Sequence, residues 1–377
     1  MSKGIQVLAW PAFKRATLSL HNALLYKGMQ ELGATVDDFT AWRVLSGRYD
    51  IVHFHWPEYC VNSRGLISAV FWSSALFVAM CWVRVCGGKV VWTVHNLESH
   101  DQQHPRAERM FWKIFTSLLN GYIALTNLGA EQARRRHPAL RTKLGFVIPH
   151  GNIRDAYSNS DISREQARSK LGIRASAKVI GFFGHVELYK GVTELVETFS
   201  ALPDKDAVLL VAGKSSLPSA EQKSIDDIAA KDTRVVLRLE YIPPEEVTSY
   251  IRACDLMVLP FREILNSGSA LLAASLDRPV LVPDKSTMRE LQQFAGSEWV
   301  RLYSGDLTAE VLQKEMNAAA EGAAQRGRCR ALEVGWQGLD WRALAQLTLD
   351  AYRSVIGNIP RWGAAVTKPT DSIAPEH

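Results

Sequence analysis

Cysteine pairs are what this sequence most plainly lacks. Its five cysteines (Cys60, Cys81, Cys86, Cys254 and Cys329) are an odd number without CxxC or zinc-ligand spacing, so free thiols in a reducing cytoplasm are expected. No HExxH stands among the ten histidines, eight of which fall between His21 and His150, and no structural metal is expected. The opening residues, MSKGIQVLAW, hold no apolar signal core or cleavage site, so export is not expected. Short-period repeats and low-complexity tracts are missing too. Nor is there an excess of either charge: 44 Lys and Arg against 39 Asp and Glu leave +5. That balance does not call for nucleic acid, but it suits a protein that handles anionic phosphates or rests against anionic lipid. With 47% hydrophobic and 22% charged residues, wholesale disorder is excluded, and 377 residues suffice for two domains with separate cores.

What the chain does contain is a repeated alternation of strand and helix. Residues 5–10 read as a first buried strand, and residues 19–32 as a helix with Leu20, Leu24, Leu25, Met29 and Leu32 on one side. Short strands are expected at 36–39, 49–55, 89–94, 122–125 and 145–149, with helices at 107–119 and 129–137 between the later ones. Residues 66–83 run for 18 positions without a charge. They meet the lower limit for a membrane span, but they also fit a buried helix or one that dips a tryptophan-rich face into a bilayer surface. The polar stretch 154–177 reads as the interdomain linker. Strands at 179–183, 207–212, 234–239, 256–260 and 279–282 alternate with helices in the second half. A late amphipathic helix covers 340–356, and the tail from 357 is polar. The expected fold class is therefore α/β, two Rossmann-like doubly wound domains facing one another across a cleft. The expected divisions are 1–157, 158–339, a C-terminal helix 340–357 returning toward the first domain, and a flexible tail 358–377.

Ligands of doubly wound sheets gather at the carboxyl ends of strands, and the chemistry-bearing residues fall at such ends. VIGFFGHVELYKG (179–191) is a strand ending at Gly184, a loop carrying Lys190, and the start of a helix, an arrangement that seats a phosphate or diphosphate; an ordinary loop with a solvated lysine has the same local pattern. NSGS (266–269) opens a helix, where Ser267, Gly268 and Ser269 could hold a diphosphate; N-capping by Asn266 or Ser267 would use the same residues. Glu263, just upstream, could accept hydrogen bonds from sugar or ribose hydroxyls, or simply be solvated. In the first half, His55, Trp56 and Glu58 follow one strand. His95 with Asn96, Glu98 and Asp101 follows another, and His150 the last. A histidine or carboxylate among them could deprotonate an acceptor hydroxyl, and Trp56-Pro57 could form a platform for a sugar. The alternatives are a loop-orienting His95 and a packed Trp56. Arg134, Arg135 and Arg136 could favour anionic lipid or line a solvated helix face.

GFFGHVELYKG resembles the donor loop of GT-B glycosyltransferases. VIPHGN resembles the end of their N-terminal domain, and CDLMVLPF with ILNSGSALLAASLDRPVLVPD resembles their nucleotide-sugar strand, phosphate loop and helix. The similarity covers roughly residues 5–355. It implies that Lys190 meets the donor diphosphate, that Gly184 allows its close approach, and that Ser267, Gly268 and Ser269 offer N–H groups. Glu263 would face the sugar, and His185, Tyr241 and Asn266 would complete the donor side. His185 stands where retaining family 4 enzymes carry arginine, and their second glutamate falls at Leu271 or Leu272. HFHWPE and NALLYKGMQELG are more similar to the bacterial exopolysaccharide β-1,4-mannosyltransferases of the xanthan type, which use GDP-mannose and a polyprenyl-diphosphate-linked oligosaccharide. That resemblance implies an inverting, metal-independent transfer with Glu58, His95 or Asp101 as base, and His55, Trp56 and His150 on the acceptor side. It further implies attachment to the inner face of the cell membrane. A sugar-nucleotide epimerase and a non-catalytic sugar- or nucleotide-binding protein are the competing expectations.

Overall fold

The protein is described by a computed structural model covering residues 4–14, 20–63, 65–99, 103–157, 160–262, 267–322, 329 and 340–357. The chain divides into two compact units. Unit 1 takes residues 4–14, 26–149 and 344–357, and unit 2 the described parts of 20–25 and 150–343.

Unit 1 runs β1 (Gln6–Trp10), α1 (Leu20–Glu31, its residues up to Leu25 counting with unit 2), β2 (Thr35–Asp38), α2 (Ala41–Leu45), β3 (Ile51–Phe54), α3 (Leu66–Val85), β4 (Lys89–Val94), α4 (Pro105–Leu118), β5 (Gly121–Ala124), α5 (Asn127–Arg136) and β6 (Leu144–Val147). Its six strands are parallel in the order β2-β1-β3-β4-β5-β6, with Val7 opposite Ile51, Ile51 opposite Lys89, and Val91 opposite Gly121. Val7, Leu8, Ile51, Phe54, Val90 and Trp92 are buried, as parallel strands covered on both faces must be. Pro105 starts α4 at the position where a missing N–H costs nothing.

Unit 2 runs α6 (Arg164–Leu171), β7 (Lys178–Phe183), α7 (Val192–Ser200), β8 (Ala207–Ala212), α8 (Ser219–Lys231), β9 (Val235–Arg238), α9 (Pro244–Ala253), β10 (Leu256–Val258), α10 (Gly268–Ser275), β11 (Val280–Pro283), α11 (Ser286–Ala295), β12 (Val300–Tyr303) and α12 (Ala309–Glu321). The last described helix, α13 (Trp341–Gly357), counts with unit 1 from Leu344 onward. The second sheet is again six-stranded and parallel, ordered β12-β11-β10-β7-β8-β9. Strand order reverses between β7 and β10 here, and between β1 and β3 in unit 1. These switch points are where the loops leaving adjacent strands diverge and leave room for a ligand.

The doubly wound α/β architecture is as the sequence predicts, with corrections in detail. The stretch 154–177 is no linker. Ser163 and Gln166 form a reciprocal capping box that starts α6, and Gly172 ends it in the left-handed conformation at φ 68°. From α6 the Arg168 side chain reaches the Asp255 carboxylate at 2.7 Å, both nearly inaccessible to solvent, and Asp255 also accepts from the Val179 N–H at 2.8 Å. Composition misled because the small polar residues Ser160 and Asp161 lead into a helix start rather than a tether. The chain passes between units at Pro149 and His150, ahead of the expected boundary. Beyond residue 283 the alternation continues through α11, β12 and α12, elements the periodicity did not resolve.

The uncharged run is a helix, α3, but not a buried one. Ala69, Ser73, Leu76, Met80 and Val83 face inward onto α2, α4 and β4, while only 28% of its most apolar 18-residue window is buried.

Candidate active site

In unit 2 the loops leaving β7 and β10 flank the switch point and touch. Gly184 holds φ 135°, and a Cβ there would lie 3.2 Å from Ser269 Oγ. Gly191 holds φ 66°, and a Cβ there would fall 2.4 Å from the Pro260 carbonyl oxygen. Both positions hold a positive φ that favours glycine, and at Gly191 the close approach of the Pro260 carbonyl leaves no room for a Cβ as well. The Arg262 N–H donates to the Tyr189 carbonyl at 2.9 Å, fastening the second loop to the first.

Between these anchors Lys190 folds back. Its ammonium donates to the His185 carbonyl at 2.7 Å and pairs with Glu187 at 3.0 Å. The side chain is only 13% exposed, so it is no solvated surface lysine, and burial lowers its pKa against the raising effect of Glu187. Ser267 caps α10 by accepting from the Ala270 N–H at 3.0 Å, so the capping reading of that serine holds. Capping accounts for one donor of the first turn. The N–H groups of Gly268 and Ser269 belong to the same turn, where a helix has no internal acceptor to offer, and the dipole there favours an anion. The His185 ring lies 2.7 Å from Ser216 Oγ. Tyr241 is exposed, in the loop after the edge strand β9, and with burial it raises the Tyr157 hydroxyl to about 12.

In unit 1 the loops after β3 and β4 meet. His55 is buried, and its Nδ1 lies 2.9 Å from Nε2 of half-buried His95. The Trp56 ring stacks on His95 with centroids 4.4 Å apart and planes 20° from parallel. Trp56 is thus packed against His95, as the packing reading expects. Glu58 is 6% exposed; its Oε1 accepts from Asn96 Nδ2 at 3.2 Å. Burial lifts its carboxyl from 4.5 to about 7. The β1 loop is held by Asp38, whose carboxylate accepts from the N–H groups of Ala12, Phe13 and Lys14 at 3.0–3.2 Å.

His150 falls in unit 2, where its ring lies 4.0 Å from that of His21 and burial lowers its pKa to about 4. Asp101, Glu263, Asn266 and the tail 358–377 lie outside the described residues. Sequence inspection passed over two spacings. His100 and His104 form an HxxxH pair, of which His100 also lies outside the described residues. Asp204-Lys205-Asp206 is a DxD pattern, but it precedes β8, at the sheet end opposite the loops leaving β7 and β10, and pairs with Lys178 and Arg174. Among the described residues no group of three or more His, Cys, Asp or Glu side chains is arranged to hold a metal ion.

A family model described as glycosyl transferases group 1 matches residues 177–313, the part of unit 2 that holds both loops at the switch point. Sucrose-phosphate synthase of Thermosynechococcus elongatus superposes with a TM-score of 0.70 at 16% identity, over 94% of this chain and all of that one. Anabaena HepE, solved in complex with UDP-glucose, superposes at 0.68 and 17% identity, over 93% and 99%. The fold is that of GT-B glycosyltransferases, and the sequence matches support glycosyl transfer as the activity.

Among particular proteins, the chain is 27% identical over 319 residues to GDP-mannose:glycolipid 4-beta-D-mannosyltransferase of Xanthomonas campestris pv. campestris, covering 85% of this chain and 84% of that protein. It is 26% identical over 242 residues to D-inositol 3-phosphate glycosyltransferase of Corynebacterium urealyticum, covering 62% and 55%.

Proposed function

We propose that the protein transfers mannose from GDP-mannose to a hydroxyl of a polyprenyl-diphosphate-linked oligosaccharide, with inversion at the anomeric carbon, as a step of exopolysaccharide synthesis. The observation that carries this is the coincidence, at one switch point, of a lysine held just off the β7 end and the first turn of α10, next to the resemblance to a mannosyltransferase along most of the chain. The donor diphosphate takes Lys190 from Glu187 and accepts from the Gly268 and Ser269 N–H groups. Glu263, Asn266, His185 and Tyr241 complete the donor side. As the C1–O bond to phosphate breaks, its electron pair passes to the diphosphate, whose growing charge these donors stabilise. The acceptor oxygen forms the new bond to C1 and loses its proton to a base of unit 1. We infer His95 as that base, because it is only partly buried whereas Glu58 is closed in by packing; Asp101, the third candidate, lies outside the described residues. Charge on the departing diphosphate is met by protein groups alone, so the transfer runs without a metal cofactor.

A lipid-linked acceptor has to be met at a membrane, and α3 supports that part of the proposal. Ile67 (88% exposed), Val70, Phe71, Trp72, Val78 and Trp82 present apolar surface on one helix, far more than a soluble face tolerates. On neighbouring α4, exposed Met110 is surrounded by exposed Arg106, Arg109 and Lys113. Apolar side chains at acyl depth with cations at headgroup level make a peripheral attachment to the cytoplasmic leaflet. The arginine triplet contributes less than expected. Arg135 and Arg136 pair with Glu131 and Glu98, and Arg134 donates to the Tyr122 hydroxyl at 2.9 Å.

Thermal unfolding of the purified chain with GDP, UDP, ADP and dTDP, then with the matching nucleotide-sugars, tests the donor. Selective stabilisation by GDP and GDP-mannose is expected. A selective UDP response replaces the donor, and silence across the panel overturns the proposal.

A further inference from the structure

Lys190 brings a positive charge to the end of β7, and the chain sets a carboxylate against it. An ammonium has N–H donors for several acceptors: one here goes to the His185 carbonyl at 2.7 Å and one to Glu187 Oε2 at 3.0 Å, and the last has no acceptor among the described residues. Burial disfavours the lysine charge and Glu187 opposes that effect, so the ion pair offsets part of the cost of placing a cation in this loop. The backbone around the pair is held on both sides. The Val186 N–H donates to the Lys214 carbonyl at 2.9 Å, and the Lys190 N–H to the Glu187 carbonyl at 3.0 Å. The side chains differ in freedom: Glu187 is 33% exposed against 13% for Lys190, so the carboxylate can swing into water while the ammonium stays where it is. The other cation of these loops, Arg262, pairs with Glu194 of α7, but both of those side chains are exposed, and a solvated pair gains little from exchanging one partner for a ligand.

We propose that Glu187 is a positioning residue that competes with the diphosphate for Lys190 and thereby separates product from donor, admitting the nucleotide-sugar and hastening the release of the nucleoside diphosphate. The inference rests on the proposed transfer and deepens it, because it assigns a residue to the step that follows the chemistry. In a nucleotide-sugar both phosphates are esterified, the outer one to the sugar. Once the sugar has left, that outer phosphate is a terminal group with a further ionisation near neutral pH. A carboxylate and a diphosphate that share one ammonium repel each other, and the repulsion grows with the charge on the ligand. Glu187 is therefore pushed aside by the donor at a modest cost and acts more strongly against the product. As the product leaves, the carboxylate takes Lys190 back and again offsets the burial of its charge. A carboxylate that served only to orient Lys190 would do the reverse, and its removal would weaken the binding of both ligands.

Calorimetric titration of the full chain with GDP and with GDP-mannose tests this in the wild type, Glu187→Gln, Lys190→Ala and the double variant. Glutamine keeps the shape and an oxygen for Lys190 and removes only the charge. Glu187→Gln is expected to bind GDP about 3- to 10-fold more tightly than wild type, and GDP-mannose less than about 2-fold more tightly. Dissociation of GDP, followed by stopped-flow displacement, is expected to slow by a similar factor. In the Lys190→Ala background the same change is expected to alter GDP affinity by less than about 2-fold, because there is no ammonium left to compete for. Loss of fold does not produce tighter binding, so the expected result cannot arise from a damaged loop. Weaker or unchanged GDP binding in Glu187→Gln, an equal gain for both ligands, or an undiminished gain without Lys190 overturns the proposal. If UDP and a UDP-sugar bind instead and show the same split, the donor assignment fails and the role of Glu187 stands. If none of GDP, UDP, ADP and dTDP binds in a manner that depends on Lys190, both fail together.

Discussion

Glu58→Gln removes an ionisable group from a place where its charge is disfavoured. Burial lifts the Glu58 carboxyl from 4.5 to about 7, Glu108 adds to the rise, and the backbone and Asn96 oppose it. A folded-state value above the unfolded one means that the stabilising contribution is complete below about pH 4.5 and is lost as pH rises through about 7. The difference between about 7 and 4.5, at ~1.36 kcal/mol for each pH unit, is about 3 kcal/mol at pH 8. Glutamine has the same shape, keeps an oxygen for Asn96 Nδ2, and carries no charge to desolvate. Urea or thermal unfolding of the two proteins at pH 8 and pH 4.5 reads the effect. The variant is expected to be more stable by about 3 kcal/mol at pH 8 and by less than about 0.5 kcal/mol at pH 4.5. Equal stability at pH 8, or a less stable variant, refutes the claim that the carboxylate is held against its preference. The same variant should retain most of its transferase activity, since in the proposed transfer His95 and not Glu58 receives the acceptor proton.

The loops proposed to hold the donor give the next expectations. Lys190→Ala deletes a charge that serves the ligand more than any core, so donor KM should rise at least about tenfold while the unfolding midpoint changes little, read by steady-state kinetics and thermal melts. Gly191→Ala places a methyl 2.4 Å from the Pro260 carbonyl oxygen at a φ of 66°, and should cost about 1–3 kcal/mol by denaturant titration while also weakening donor binding. Replacing Ile67, Phe71 and Trp72 together by glutamate should abolish sedimentation with anionic phospholipid vesicles without lowering the melting temperature, because all three are more than half exposed.

The strand-helix alternation was legible because buried parallel strands are short apolar runs and their carboxyl ends carry the unusual residues. Gly184, Lys190 and Ser267 to Ser269 could be found that way without a structure. What could not be found was contact across distance. The Tyr352 hydroxyl lies 2.5 Å from His53 Nδ1 across 299 residues of chain, with nothing in the local pattern to mark it, and Tyr26, which also meets His53, looks like one more apolar position of an amphipathic helix. Burial was equally hidden. Nothing in WPE says that Glu58 is closed in, and the spacing that sets Lys190 in its loop does not say that Glu187 holds it. The Ser163 to Gln166 capping box was present in the sequence, but the run of small polar residues ahead of it gave the louder signal. For α3, composition alone could not decide between core and surface. That needed the neighbours, which cover one face and leave the rest bare.

The most direct test is to incubate the purified protein with GDP-mannose and a polyprenyl-diphosphate-linked oligosaccharide in vesicles, and to assign the product linkage by NMR. Transfer of one mannose in β linkage, dependent on both substrates and on Lys190, is the expected result. An α-linked product contradicts inversion and His95 as the acceptor base, and consumption of GDP-mannose without any glycolipid product contradicts the transfer itself.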